Sequence, residues 1–207
     1  MVFLMFSLKK FIILSMISLI VAVNSTTLAA ENNTAKRVAL LPVMHLYCHW
    51  NHSESEEKAL NQLFKREIHI PLNGLLKITE EIPPETSVAA FNKNYHDMKT
   101  TNKKADIKDA VKASAEEINA DIFILPIAKS CSQETFSLGF DGNVMVSRAI
   151  MELFVYDKST GTVQTYKYHD YYNDTFLLIG TVDSLLKNCA NHVLKKANLK
   201  QLVTGNN

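Results

Sequence analysis

The sequence predicts an α/β protein whose helices pack on a mixed sheet of four or five strands, with a parallel central pair and a C-terminal β-hairpin followed by a helix. The central pair is predicted by two near-copies, Arg37–Val43 and Asp121–Ile127, which are apolar and end in Leu-Pro followed by a β-branched residue. Unbroken apolar runs of this length are typical of strands buried on both faces of a sheet. Helical segments connect the two runs, and such a crossover is right-handed and leaves the strands parallel.

Composition limits the class of protein. The 207-residue chain is 47% hydrophobic and 21% charged, which indicates a globular protein and excludes a disordered one. Its formal net charge of +1 lacks the basic surplus that nucleic-acid binding requires. We therefore expect a single αβ domain over residues 31–207 and no nucleic-acid partner.

Residues 1–30 have the pattern of a secretory signal peptide. Lys9 and Lys10 precede the apolar run Phe11–Val23, and small residues follow up to Ala30. The apolar run is shorter than the roughly 20 residues that span a bilayer, so we expect no membrane span after cleavage; an uncleaved anchor is the alternative. No cysteine stands at the cleavage point, which argues against a lipid anchor. The mature protein is therefore expected to be secreted or periplasmic.

The first half of the domain is predicted to be mainly helical after the first strand. Ser53 begins a capping box that predicts a helix to about Glu67. The segment Ile68–Ile82 alternates around Asn73-Gly74, which predicts a hairpin; a single strand over Leu75–Ile82 is the alternative. Two further helices are predicted before the second apolar run, one over Ser87–Met98 and one that begins after Asp106 and ends at Asn119.

The second half reads as a loop, a hairpin and a helix. Cys131–Asn143 is polar and is predicted to be a loop. Val144–Asp157 alternates as a strand with one partly wet face, and Thr162–Tyr172 returns after a turn that ends at Gly161. The last helix begins at Thr181 or Asp183, and an apolar stripe predicts its buried face: Val182, Leu185, Leu186, Cys189, Val193 and Ala197.

Two cysteines follow the twin apolar runs. If those runs are neighbouring parallel strands, Cys48 and Cys131 leave the sheet at the same edge, and an oxidising compartment would allow a disulfide between them. Two independent reduced thiols are the alternative. Cys189 lies on the apolar helical stripe and is predicted to be a buried free thiol.

A second candidate site is the run His45-x₂-Cys48-His49-x₂-His52. Imidazole and thiolate are ligands for zinc or copper, so His45, His49 and His52 are candidate metal ligands. Their spacing matches no closed structural zinc pattern, and Cys48 cannot be a ligand and half of a disulfide at once. We therefore expect an exposed polar loop here, with no metal and no cofactor.

The rest of the chain contains a tyrosine-rich strand and none of the common catalytic motifs. Tyr166, Tyr168 and Tyr172 share one side of a strand, where they either form a binding surface or stabilise the sheet by cross-strand packing. The chain has no Gly-x-Ser-x-Gly, no phosphate-binding glycine loop and no His-Glu-x-x-His. We expect no catalytic residues and no enzyme activity.

Three segments resemble a group of bacterial cell-envelope domains. They are Val38–Val43, Ala120–Ile124 and the run Leu153–Gly161, which enters an Asp-x-x-Thr-Gly turn. The group includes the TolB amino-terminal domain, the curli secretion lipoprotein and lipoprotein activators of penicillin-binding proteins. The resemblance covers most of Arg37–Leu202 and implies an αβ module that binds other proteins and catalyses nothing. It carries over no functional residue, and this chain lacks the lipidated cysteine of the lipoproteins.

The sequence thus predicts a non-enzymatic interaction or assembly module of the bacterial cell envelope with a protein partner. The alternative is a small-ligand or metal-binding extracytoplasmic protein that uses loops 44–53 and 131–143. An interaction module should show an exposed apolar patch or an uncovered sheet edge. A ligand-binding protein should show a concave pocket between those two loops.

Overall fold

The computed structural model describes residues 35–49, 54–101, 106–137, 143–175 and 177–204. The predicted signal segment at 1–30 lies outside these residues. The strands are β1 Lys36–Leu40, β2 Met44–His45, β3 Cys48–His49, β4 Thr79–Glu81, β5 Ile122–Ser137, β6 Asn143–Asp157 and β7 Thr162–Thr175. The helices are α1 Glu54–Glu67, α2 Ile70–Leu75, α3 Pro84–Thr101, α4 Ile107–Glu117, α5 Val182–Ala197 and α6 Leu199–Thr204, with a 3₁₀ turn at Leu178–Gly180.

The strands form one mixed sheet in the order β4-β1-β5-β6-β7. The twin apolar runs are the parallel neighbours β1 and β5, with Val38 opposite Ile122 and Leu40 opposite Ile124. β6 and β7 form the predicted antiparallel hairpin, and α5 follows it. The fold class is therefore confirmed. The sheet has more strands than predicted because β2 and β3, both inside the expected loop, also pair in parallel with β5.

Helices cover both faces of the sheet. Val38 and Leu40 of β1 point into a core closed by α1, α5 and α6, which we call the first core. Ala39 and Leu41 point the other way, into a second core closed by α3 and α4. Burial on both faces explains why Val38–Leu41 and Ile122–Ile127 are apolar.

The helices begin and end close to their predicted positions. Asp106 caps α4, where its carboxylate accepts a hydrogen bond of 3.3 Å from the backbone N–H of Lys108. Asn119 follows α4 with a left-handed φ of +52°, which an asparagine tolerates better than most residues. Thr181 caps α5 through the N–H of Ser184, and the whole predicted apolar stripe of that helix is buried, including the free thiol of Cys189.

The hairpin predicted at Asn73-Gly74 is wrong. Helix α2 occupies the segment, and the strand of this region is β4, which lies inside the alternative range Leu75–Ile82. Pro71 favours the first turn of a helix because its φ is already helical. Asn73 is buried and its amide donates a 2.7 Å hydrogen bond to the carbonyl of Ile68, so its side chain satisfies the end of α1 instead of forming a hairpin turn.

The loop predicted over Cys131–Asn143 is also wrong for most of its length. β5 continues to Ser137 and β6 begins at Asn143, so only residues 138–142 separate them, and these lie outside the described residues. The polar residues of this stretch belong to an antiparallel ladder with β6. An antiparallel pair tolerates a polar sequence when one of its faces meets solvent.

The structure contains the disulfide between Cys48 and Cys131. The two residues are direct partners in the parallel pairing of β3 with β5, and their Cα atoms lie 4.3 Å apart. Cys131 is buried in the first core. The disulfide therefore holds the chain that follows β1 against the middle of β5.

We expect the Cys48→Ala/Cys131→Ala protein to lose about 4–5 kcal/mol in free energy of unfolding, measured by urea denaturation. The bridge closes a loop across a sequence separation of 83 residues, and its loss releases the entropy of the unfolded chain. Cys189→Ala, which keeps the bridge, is the matched control and should cost less. Equal stability of the double variant and the wild type would contradict the prediction.

Thiol counting provides a second readout of the same bridge. Burial raises the pKa of the Cys189 thiol to about 12, and the nearby Asp170 carboxylate acts in the same direction. Almost no thiolate forms at pH 8, so the native protein should react slowly with a thiol reagent. The denatured protein should expose one thiol before reduction and three after it.

Candidate functional site

The predicted metal ligands do not assemble into a site within the described residues. His45 lies half-buried in β2 beside a cavity of only about 10 Å³, which is too small for a ligand. His52 and the side chain of His49 lie outside the description, and Cys48 is half of the disulfide. Among the described side chains, no three His, Cys, Asp or Glu residues are grouped to hold a metal ion.

The tyrosines of β7 pack against helix α5. Tyr166, Tyr168 and Tyr172 are half-buried against the first core, and the ring of Tyr168 stacks on His192 with centroids 4.0 Å apart and planes within 7°. The Tyr172 ring lies against Gly180, where a Cβ would collide with it. These contacts support the alternative in which the tyrosines stabilise the fold.

The aspartates near the hairpin serve local structure. The Asp157 carboxylate accepts hydrogen bonds from the backbone N–H and hydroxyl of Ser159, which shapes the turn before Gly161 at φ +64°. The Asp170 carboxylate accepts hydrogen bonds from the Tyr171 backbone N–H and from the Asn188 amide. Each carboxylate therefore has a structural role.

An exposed sheet face lies where the second core ends. Beyond Ile127 of β5 and Phe154 of β6, the side chains that share the α3–α4 side of the sheet are largely half-buried or exposed. Alternation along the strands and the register between them put these residues on one surface. We call it the open sheet face, defined by Glu134, Phe136, Val146, Arg148, Ile150, His169 and Tyr171.

This surface is partly apolar and aromatic. Phe136 is 48% exposed and Tyr171 is 51% exposed, and the guanidinium of Arg148 lies 5.5 Å from the centroid of the Tyr171 ring. Val146 and Ile150 are half-buried beside them. Aromatic residues with arginine are enriched at the centres of protein interfaces.

An ion cluster marks the border between the covered and open halves of the face. The Glu152 carboxylate, 8% exposed, accepts hydrogen bonds of 2.9 and 3.1 Å from the Lys129 ammonium. Lys167 of β7 lies 3.3 Å from the same carboxylate. A β-bulge between Ala128 and Ser130 contains Lys129, so the bulge helps to place its side chain. The partly wet face predicted for the strand Val144–Asp157 is found at Arg148, which is exposed, whereas Glu152 on the same face is buried and paired with the two lysines.

Two further features lie beside this surface. β7 runs for 14 residues and, among the described strands, pairs with β6 alone, so it is a long edge strand. At the far end of β7, Leu177, Leu178 and Ile179 are 50%, 77% and 70% exposed. The sequence contained the signal for this second feature, an apolar run before the capping Thr181 that belongs to no helical stripe.

No described helix is long and apolar enough to cross a membrane.

Comparison with known proteins gives structural likeness and no sequence family. No protein-family model matches the chain, and no curated protein matches it. Similar solved structures include the hypothetical protein CT253 from Chlamydia trachomatis, at 12% identity and a TM-score of 0.41, over 83% of this chain and 99% of that one. Lipoprotein GNA1162 from Neisseria meningitidis matches at 7% identity and a TM-score of 0.38, over 78% and 97% of the two chains.

The LpoB C-terminal domain from Salmonella enterica is a further match, at 13% identity and a TM-score of 0.34, over 70% of this chain and 90% of that one. Bacterial lipoproteins are thus among the structures that this chain resembles, as the sequence resemblance predicted. At TM-scores below 0.5, these likenesses carry no argument about what the chain binds or does.

We expect Gly180→Ala to lower the free energy of unfolding by about 1–3 kcal/mol, because the added methyl group collides with the Tyr172 ring. In a Tyr172→Ala background the same change should cost little, and a double-mutant cycle measures the difference. Gly74→Ala is the matched control, because its new Cβ would meet nothing closer than 3.9 Å. Equal effects of Gly180→Ala in both backgrounds would contradict this packing.

We expect Glu152→Gln to cost about 1–2 kcal/mol in urea denaturation, since a buried carboxylate that serves two lysines is replaced by a neutral amide. Glu117→Gln removes an equally short ion pair with Lys93, but the Glu117 side chain is 39% exposed. The control should therefore lose much less stability. A loss at Glu117 as large as that at Glu152 would refute the distinction.

Proposed function

We propose that this chain is a non-enzymatic protein-interaction module of the bacterial cell envelope and that the open sheet face is its contact surface. The observation that carries the proposal is the exposure of Phe136 and Tyr171 on a sheet whose other face packs against α5 in the first core. A contact surface on strands is preorganised, so little conformational entropy is lost on binding.

The edge strand supports the same proposal. β7 offers backbone N–H and C=O groups along one side of the open sheet face, and an extended segment of a partner can add to such an edge. Side chains on the face would then supply specificity, because alternate residues of an added strand would lie over them.

Two observations support a location outside the cytoplasm. The pattern of residues 1–30 is typical of a secretory signal peptide, and a disulfide such as Cys48–Cys131 is stable in an oxidising compartment. The alternative of a ligand or metal site in segments 44–53 and 131–143 has less support, because most of the second segment is strand and the cavity at His45 is small.

Site-specific photo-crosslinking in cells tests the proposal. A benzophenone amino acid replaces Tyr171 or Phe136 in the full-length chain, and Lys112 on the exposed side of α4 is the control position. We expect a discrete adduct from both face positions and none from position 112. An adduct at twice the mass of the chain would identify a second copy as the partner.

Arg148 lies on β6, the strand between those that carry Phe136 and Tyr171, and its substitution provides a second test. Arg148→Glu should abolish the adduct formed at position 136 without changing the thermal stability, because the side chain is exposed. Absence of adducts from both face positions, or the same adduct from position 112, would overturn the proposal.

A further inference from the structure

A second surface lies on the opposite side of the sheet. α1, α2 and α5 border an open groove of about 690 Å³, whose lining includes Leu63, Leu72, Lys65, Arg66, His69 and Lys187. α1 and α5 close the first core, whereas the open sheet face lies on the side of α3 and α4. The groove is therefore separate from the proposed contact surface.

The described lining of the groove is basic. Among the described residues, it contains Lys65, Arg66 and Lys187 and no acidic residue. Across the described residues, none of these three cations lies within 4.0 Å of a carboxylate, whereas Lys93, Lys129, Lys158 and Lys167 all do. Acidic residues lie next to the groove: Glu56, Glu57 and Asp183 line the small cavity at His45, which shares Lys187 with the groove, and a further cavity shares Lys65 with it.

The lining of the groove also contains apolar side chains from α1 and α2, Ala59, Leu63 and Leu72. Ala59, Gln62, Leu63 and Arg66 lie at helical positions i, i+3, i+4 and i+7, so one side of α1 forms a continuous wall. Leu72 on α2 is 55% exposed across from it, and Leu75 and Leu76 extend the apolar surface at 82% and 61% exposure. An occupant must therefore combine apolar side chains with negative charge.

We propose that this basic groove is a second binding site, which takes an acidic amphipathic helix from another protein. An amphipathic helix fills a groove between helices with its apolar stripe, and Glu or Asp beside the stripe would meet the lysines and arginine of the rim. The first thirty residues of this chain are unsuitable occupants, because their charged residues are Lys9 and Lys10 alone. Concavity favours a helix over a flat anionic bilayer.

Fluorescence anisotropy with a defined peptide tests this proposal. The probe is a labelled helix of about 18 residues, or roughly 27 Å, with Leu at i, i+3, i+4 and i+7 and Glu beside the stripe. The protein is the secreted form purified from cells that express the full chain. We expect saturable binding that weakens as NaCl rises from 0.05 to 0.5 M, because salt screens charge pairs at the rim.

Charge reversal in the groove has a matched control. Arg66→Glu/Lys187→Glu should raise the Kd at least 10-fold, whereas Lys58→Glu/Lys112→Glu, which changes the net charge equally at exposed positions outside the groove, should change it less than 2-fold. Leu72→Ser should also weaken binding, and because the Leu72 side chain is exposed, the substitution should leave the protein folded.

Control ligands distinguish a site for an acidic amphipathic helix from non-specific charge attraction and from membrane binding. A peptide with Ser in place of Leu should not bind; equal binding would reduce the site to non-specific charge attraction and overturn the proposal. Equal effects of the two double variants would overturn it as well. Binding of phosphatidylglycerol vesicles, lost in Leu75→Ser/Leu76→Ser and not blocked by the peptide, would assign the surface to a membrane instead. None of these outcomes affects the crosslinking test of the open sheet face.

Discussion

The rest of the structure depends on strand β5 and on the mismatch between its length and that of its neighbours. β5 has 16 residues, or roughly 53 Å, whereas its parallel neighbour β1 has 5 residues, or roughly 17 Å. The backbone N–H and C=O groups of β5 that lie beyond the end of β1 need other hydrogen-bond partners. The segment after β1 supplies them through β2 and β3, and the Cys48–Cys131 disulfide fixes that segment on β5. β6 pairs with β5 along its whole length on the other side.

The same mismatch produces the open sheet face. α4 has 11 residues, or roughly 16 Å, and its buried residues pack over the first half of β5 and over the end of β6 that pairs with it. Among the described residues, neither α4 nor its neighbour α3 covers the remaining half of these two strands, which packs on the α5 side of the sheet. Phe136 and Tyr171 therefore stay exposed because the helical layer ends before the strands do. The exposure of these two side chains therefore follows from the difference in length between the helices and the strands.

Short sequence patterns correctly predicted those elements that depend on a few neighbouring residues. The buried pair β1 and β5, the caps at Asp106 and Thr181 and the turn at Gly161 were readable because each depends on a few neighbouring residues. Two errors have tertiary causes: Asn73 turns inward to the Ile68 carbonyl, and the polar end of β5 becomes a strand because β6 pairs with it. The alternation along Val144–Asp157 predicted a partly wet face on that strand, but the extent of the open sheet face across β5 and β7 and the basic groove could not be predicted, because the exposure of a side chain depends on which elements pack together.

A sheet with a long exposed edge strand is open to non-specific pairing with other strands, and charged side chains on the edge oppose such pairing. On β7, Lys167 lies against the Glu152 carboxylate, and Asp170 and Asp174 add charge along the edge. A non-specific strand that covered this edge would have to desolvate those charges, which costs several kcal/mol for each unpaired ion. A specific partner can supply complementary groups and avoid that cost.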